Sequence, residues 1–127
     1  MTTRKIEALV RYWQEILQLQ EWKIEVEVIP AEHISGDRLL ADIDRDYSML
    51  HATLTIASQR DPAELSSTVL HELLHLVLAG LVTQHRYIAG LLGTEAEQLA
   101  NKEEQTEQER IVRKLERAIR KLQKEKD

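Results

Sequence analysis

The feature that most constrains this chain is an apolar helix predicted over residues 62–79. Asp61 is a suitable N-cap, Pro62 suits the first helical position, and Glu64 follows in the first turn. Gly80 is placed to end the helix. Apolar side chains surround it on nearly every side, as is typical of a helix that runs through a core: Leu65, Val69, Leu70, Leu73, Leu74, Leu76, Val77 and Leu78.

Three polar residues interrupt this apolar surface, in the sequence His71-Glu72-Leu73-Leu74-His75. Residues four apart lie one above the other on a helix, so His71 and His75 can direct both imidazoles at one metal ion. Glu72 lies beside them, where it can deprotonate a bound water. This H-E-x-x-H pattern is typical of a zinc site with two histidine ligands and a glutamate base. The alternative is a structural histidine pair, but polar groups on such a helix need partners, which a metal provides.

The composition narrows the class of protein. A chain of 127 residues is expected to form a single domain over 1–127. Its formal charge of −5 does not favour nucleic acid as a partner. Because it has no cysteine, any metal must be bound by His, Asp or Glu. We find neither a leader-like apolar segment nor an apolar run of about 18 residues, so we expect a cytoplasmic protein without a membrane partner.

The hydrophobic periodicity predicts an α+β fold. We expect an N-terminal amphipathic helix over residues 4–20 and three strands over 22–29, 38–44 and 49–57. The H-E-x-x-H helix follows over 62–79, then a loop or short helical turn over 81–93, and a long polar helix from residue 94 onwards. The connections between strands are too short for a crossover helix, which favours a small, mostly antiparallel sheet packed on the helices. The order of the strands is not readable from the sequence.

This order of elements resembles that of the gluzincin metallopeptidases, and most closely their minimal single-domain members, the minigluzincins. In residues, the likeness lies in the motif helix and in the segment 109–115. The resemblance implies that His71, His75 and Glu109 bind zinc and that Glu72 is the catalytic base. It also implies that strand 49–57 is the rim strand that pairs with extended peptide substrate. Metzincins are excluded, because Leu78 and Leu81 stand where that class has glycine and histidine.

The identity of the third zinc ligand is open to more than one interpretation. A helical wheel of the last helix directs Glu104 and Gln108 toward the core, with Glu107 flanking them and Glu109 further round. The family pattern instead favours Glu109, since it lies three and six residues before the apolar residues Val112 and Leu115. We predict Glu109 as the ligand, with Glu104 and Glu107 as alternatives.

Two functions are consistent with these residues. The first is a zinc-dependent peptidase, in which Zn²⁺ polarises the scissile carbonyl of a peptide or protein substrate while Glu72 activates water and passes the proton on. The second is a latent or non-enzymatic zinc-stabilised binding module within a larger assembly. The small size of the chain supports the second, because no segment is evident that would complete a deep cleft.

Overall fold

The computed structural model describes residues 3–30, 41–57 and 62–126. In these ranges the chain forms four helices and one three-stranded sheet, which confirms the α+β class. The elements are α1 Thr3–Ile16, β1 Lys23–Ile29, β2 Ala41–Asp46, β3 His51–Ala57, α2 Pro62–Val77, α3 Ala79–Ala89 and α4 Thr94–Lys126. The predicted N-cap Asp61 and the first residues of the predicted second strand, 38–40, lie outside the described residues.

The chain divides into two compact units. The first, Met1–Val77, holds α1, the sheet and α2, and the second, Leu78–Asp127, holds α3 and α4. The expectation of one metallopeptidase domain over 1–127 stays a prediction. No single helix in the described ranges is long and apolar enough to span a membrane. The part of α2 from Glu64 onwards and α3 reach that length and apolar content only when they are counted together.

The sheet has the order β1-β3-β2 and is mixed. β2 pairs with β3 in the antiparallel sense, whereas β1 pairs with β3 in parallel. The prediction of a mostly antiparallel sheet is therefore wrong for one of the two pairings. It rested on connections too short for a crossover helix, but β1 and β3 are also separated by β2, which makes a parallel pairing of these two strands possible. The chain direction reverses between β1 and β2 and again between β2 and β3. β3 therefore runs in the same direction as β1, beside which it pairs.

The position of β3 also corrects the expected role of strand 49–57. Every residue from His51 to Ala57 pairs with β1, and His51 to Ile56 also pair with β2. Backbone N–H and C=O groups that are already used in two ladders are not open to a peptide. The interpretation of this strand as the substrate edge is therefore wrong, and the edges of the described sheet are β1 and β2.

The core of the first unit follows the predicted patterns. On β3, Ala52, Leu54 and Ile56 are buried, whereas His51, Thr53 and Thr55 are partly exposed, as the period of two predicts, and Ala57 at the end of the strand is buried as well. α1 packs against α2 and β1, and α2 also packs against β2. The helices contribute the following buried side chains: Ile6, Val10 and Trp13 from α1, and Leu65, Val69, Leu70, Leu73, Leu74 and Leu76 from α2.

A tight connection joins β2 to β3 and holds their register. The Ser48 hydroxyl donates to Asp46 Oδ1 at 2.6 Å, and the Met49 N–H donates to the same oxygen at 3.2 Å. These two bonds stabilise the carboxylate and so lower the pKa of Asp46 below its ordinary value, and the Ser48 bond has the larger effect. Leu50 closes the turn with a left-handed φ of 51°.

The second unit is more helical than the loop or short helical turn predicted over 81–93. α2 ends at Val77, and α3 runs from Ala79 to Ala89, so Gly80 lies inside a helix rather than after one. The glycines lowered the apparent helical propensity, but Ala79, Val82 and Ala89 are buried along α3. Gly93 has a φ of 94°, and its carbonyl accepts from the Glu97 N–H at 2.9 Å. That bond opens α4, a helix of 33 residues that confirms the predicted long polar helix.

The central position of β3 predicts a large effect of truncating its middle side chain. Leu54 is 0% exposed, so Leu54→Ala should lower the free energy of unfolding by about 2–5 kcal/mol through lost burial and the cavity left behind. Met49→Ala is the control, because Met49 is 73% exposed and should change stability by about 0.5 kcal/mol or less. Urea unfolding measures both, and equal effects of the two substitutions would contradict the burial of Leu54.

Candidate metal centre

The orientation of α2 is set by its buried leucines and valines, and this determines where the motif residues lie. His71, Glu72 and His75 are each partly buried, between the buried face of α2 and solvent. Their neighbours Leu70, Leu73 and Leu74 are buried almost completely. The helix therefore holds the three polar groups at the margin of the core, where a metal ion or substrate is more accessible than in the core itself.

The two histidines lie side by side, as their spacing predicts. Their ring centroids are 5.4 Å apart and the ring planes meet at 65°. One turn of helix separates them, and Glu72 follows directly after the first histidine. The structure thus brings His71, Glu72 and His75 together on one partly exposed surface of α2.

A hydrogen bond between distant parts of the chain helps to position α2. Trp13 on α1 is 2% exposed, and its indole N–H donates to the Ser66 hydroxyl at 3.2 Å. Ser66 lies five residues before His71 on the same helix. Sequence reasoning missed this contact, because the partners are 53 residues apart and neither belongs to a recognisable motif.

The candidate third ligands all lie on α4, in the second unit, but their surroundings differ. The Glu109 side chain is 43% exposed and lies 3.9 Å from the Arg113 guanidinium. Glu107 is 52% exposed and bonds to Arg110 at 2.8 Å, and Glu103 is exposed. Glu104 is only 9% exposed.

The burial of these residues confirms part of the helical-wheel argument. Glu104 and Gln108 point inward as predicted, with Gln108 only 7% exposed and its amide donating to Glu104 at 3.3 Å. Glu109 is intermediate, as expected for a residue further round the helix. Burial alone would therefore favour Glu104, whereas the family pattern favours Glu109.

Comparison of the chain with protein families, curated proteins and solved structures gives no match. The resemblance to gluzincins therefore depends on the residues and on the order of the elements. The donor set itself fits zinc, because two imidazoles and one carboxylate are a ligand combination found in catalytic zinc sites. The absence of cysteine rules out thiolate ligands, so His, Asp and Glu are the side chains that could hold zinc in this chain.

The Trp13–Ser66 bond predicts a measurable coupling between α1 and the motif helix. In a double-mutant cycle of Trp13→Phe and Ser66→Ala, the coupling free energy should be about 0.5–1.5 kcal/mol, the usual net value of such a bond. The measurement is urea unfolding of the wild type, both single variants and the double variant. Strictly additive effects would show that this hydrogen bond does not hold α2.

Proposed function

We propose that this protein is a zinc-dependent peptidase in which His71, His75 and Glu109 bind the metal and Glu72 is the general base. One observation carries the proposal. The rings of His71 and His75 lie side by side on α2 with centroids 5.4 Å apart, and both residues are partly buried beside Glu72. Two imidazoles at this spacing can bind one metal ion, to which we propose that Glu109 adds the third protein ligand.

The family pattern favours Glu109 over the alternatives, since Glu109 lies three and six residues before the apolar residues Val112 and Leu115. Glu104 is the more deeply buried carboxylate, and its Oε1 already accepts from the Gln108 amide at 3.3 Å. Glu107 is already bonded to Arg110. Three protein ligands leave one position of a tetrahedral zinc for water or substrate, which is the arrangement of a catalytic rather than a structural site.

Bound zinc would supply a Lewis acid that polarises a peptide carbonyl and acidifies water. The remaining chemistry belongs to Glu72. Its carboxylate accepts a proton from the attacking water and then delivers that proton to the leaving amine nitrogen. Glu72 follows His71 directly on α2, so the rigid helix that holds both imidazoles also holds the base.

A peptide substrate that pairs with the sheet must use an outer strand. β3 is excluded because it is paired on both sides, and β1 and β2 are the outer strands of the described sheet. Addition of an extended peptide to an edge strand is a common mode of peptide recognition. A cytoplasmic location and a peptide or protein substrate complete the proposal.

Glu72→Gln tests the catalytic role. The substitution keeps the size of the side chain but removes the base, so hydrolysis should fall by about 10²–10⁴-fold while zinc content stays unchanged. The assay is cleavage of casein and of a panel of unstructured peptides, with zinc measured by elemental analysis on protein purified without a metal-affinity tag. Wild-type turnover in Glu72→Gln would remove Glu72 from the mechanism.

The same assay separates the peptidase from the zinc-stabilised binding module. Cleavage by the wild type that a chelator abolishes and added zinc restores identifies the enzyme. Zinc at one equivalent per chain without cleavage of any substrate in the panel identifies the latent or non-enzymatic alternative.

Glu109→Gln tests the third ligand. The loss of a ligand should weaken zinc binding by more than about 100-fold, because the loss of a mere hydrogen-bond partner of a ligand costs about 10–100-fold. Glu107→Gln is the matched control on the same helix and should retain zinc, as should Glu103→Gln and Glu104→Gln. Affinity is measured by competition with a chromophoric chelator.

Thermal unfolding provides a second readout for the same variants. Zinc that binds only the folded protein raises the melting temperature, so a chelator should lower it in the wild type and in Glu107→Gln. It should have no effect in Glu109→Gln. Full zinc occupancy in Glu109→Gln would rule out this ligand assignment.

A further inference from the structure

A pocket of about 400 Å³ lies within the second unit, between α3 and α4. Its volume falls in the range of small-molecule sites in proteins. Most of the lining is apolar and includes Leu81, Val82 and Ile111, and three carboxylates are added by Glu103, Glu104 and Glu107. The described lining residues include no lysine or arginine.

Glu104 is the informative residue in this pocket. Its side chain is 91% buried, given an exposed fraction of 9%. Oε1 accepts from the Gln108 amide at 3.3 Å and lies 3.9 Å from Arg86 Nε. Oε2 is buried and has no hydrogen-bond partner among the described residues. A buried carboxylate oxygen without a partner is costly, so this atom calls for a hydrogen-bond donor.

A second buried acceptor lies close by in sequence. Asn101 precedes Glu104 by three residues, on the same side of α4. Its Oδ1 is likewise buried without a hydrogen-bond partner within the described ranges. Asn101 does not line the pocket, so Glu104 Oε2 is the unpaired acceptor that bears on its ligand, and the group it lacks is a donor.

The charges of the lining residues indicate a cation. Glu107 pairs with Arg110 at 2.8 Å, but within the described part of the chain neither Glu103 nor Glu104 has a cationic partner this close. Arg86 is 46% exposed and only reaches the limit of an ion pair with Glu104, so it offsets that charge weakly. A divalent metal is disfavoured because it needs several oxygen ligands, whereas most of this surface is aliphatic.

We propose that this pocket binds a primary alkylammonium ion. The ammonium group donates to Glu104 Oε2, and the aliphatic chain lies against Leu81, Val82 and Ile111. An ammonium offers three donors and a positive charge, which match the unpaired acceptor and the acidic lining. The apolar wall favours a chain of several methylenes over a bare ammonium. This site is separate from the proposed peptidase chemistry and does not depend on it.

Titration of the full chain with three matched ligands tests the charge requirement. Hexylamine, hexan-1-ol and heptanoate share the hexyl chain but differ in the head group. Hexylamine should bind, measured by calorimetry, while the alcohol and the carboxylate should bind at least about tenfold more weakly, since hydrogen bonds to charged groups are the stronger ones. Equal binding of hexylamine and hexan-1-ol would overturn the proposal.

An additional ligand identifies the source of the amine. Nα-acetyl-lysine methylamide, with a free ε-amine, presents an alkylammonium as a lysine side chain does in a peptide. Tighter binding than that of hexylamine assigns the pocket to a lysine side chain, and weaker binding assigns it to a free amine. Either result, with the alcohol excluded, supports the proposal.

Glu104→Gln, with Glu103→Gln as the matched control, locates the contact. Glu104→Gln should weaken hexylamine by about tenfold or more, whereas Glu103→Gln, at an exposed position, should change it by less than about fivefold. Zinc content is measured in the same samples. Unchanged hexylamine affinity in Glu104→Gln would overturn the inference. It would also be overturned if Glu104→Gln lost zinc while Glu109→Gln retained zinc. If Glu104→Gln does not fold, the wild type alone decides. Equal affinity of the wild type for hexylamine and hexan-1-ol would then overturn the inference.

Discussion

Burial of the apolar side of α2 is the interaction on which the first unit depends. Leu70, Leu73 and Leu74 are at most 1% exposed, and α2 packs on both α1 and β2. Each such side chain contributes about 1.5–3 kcal/mol on burial, far more than a single surface ion pair. The helix cannot rotate about its axis without exposing these side chains. The polar residues beside them, His71, Glu72 and His75, therefore keep a fixed orientation. The geometry of the candidate site is thus a consequence of packing.

The glutamates of α4 show how position on one helix separates chemical roles. Glu107 is solvated and paired with an arginine one turn away, which is the ordinary state of a surface carboxylate. Glu109 is half-exposed and lies 3.9 Å from Arg113, so its carboxylate is accessible from solvent. Glu104 is buried with one oxygen unpaired. Successive residues of a helix are about 100° apart round its axis. Glutamates only a few positions apart can therefore serve as a solvated surface charge, a potential metal ligand or a buried recognition group.

The strand order has a functional consequence that no local pattern contains. Insertion of β3 between β1 and β2 satisfies the backbone of the most apolar strand on both sides and places strands with charged residues at the edges, such as Glu25 on β1 and Asp42 on β2. Charged edge strands resist pairing with other copies of the chain. They also leave the outer ladders as the surfaces at which an extended peptide can add.

The sequence alone determined α1, α2, α4, the two faces of β3 and the pairing of His71 with His75, because each depends on periodicity within one short segment. Even the inward direction of Glu104 and Gln108 follows from such a helical period. Only the tertiary structure decided the parallel β1–β3 pairing, the central position of β3 and the Trp13–Ser66 bond. These depend on contacts between residues far apart in the chain. Local propensity does not encode such contacts, since they form only when burial of the whole apolar surface selects one arrangement.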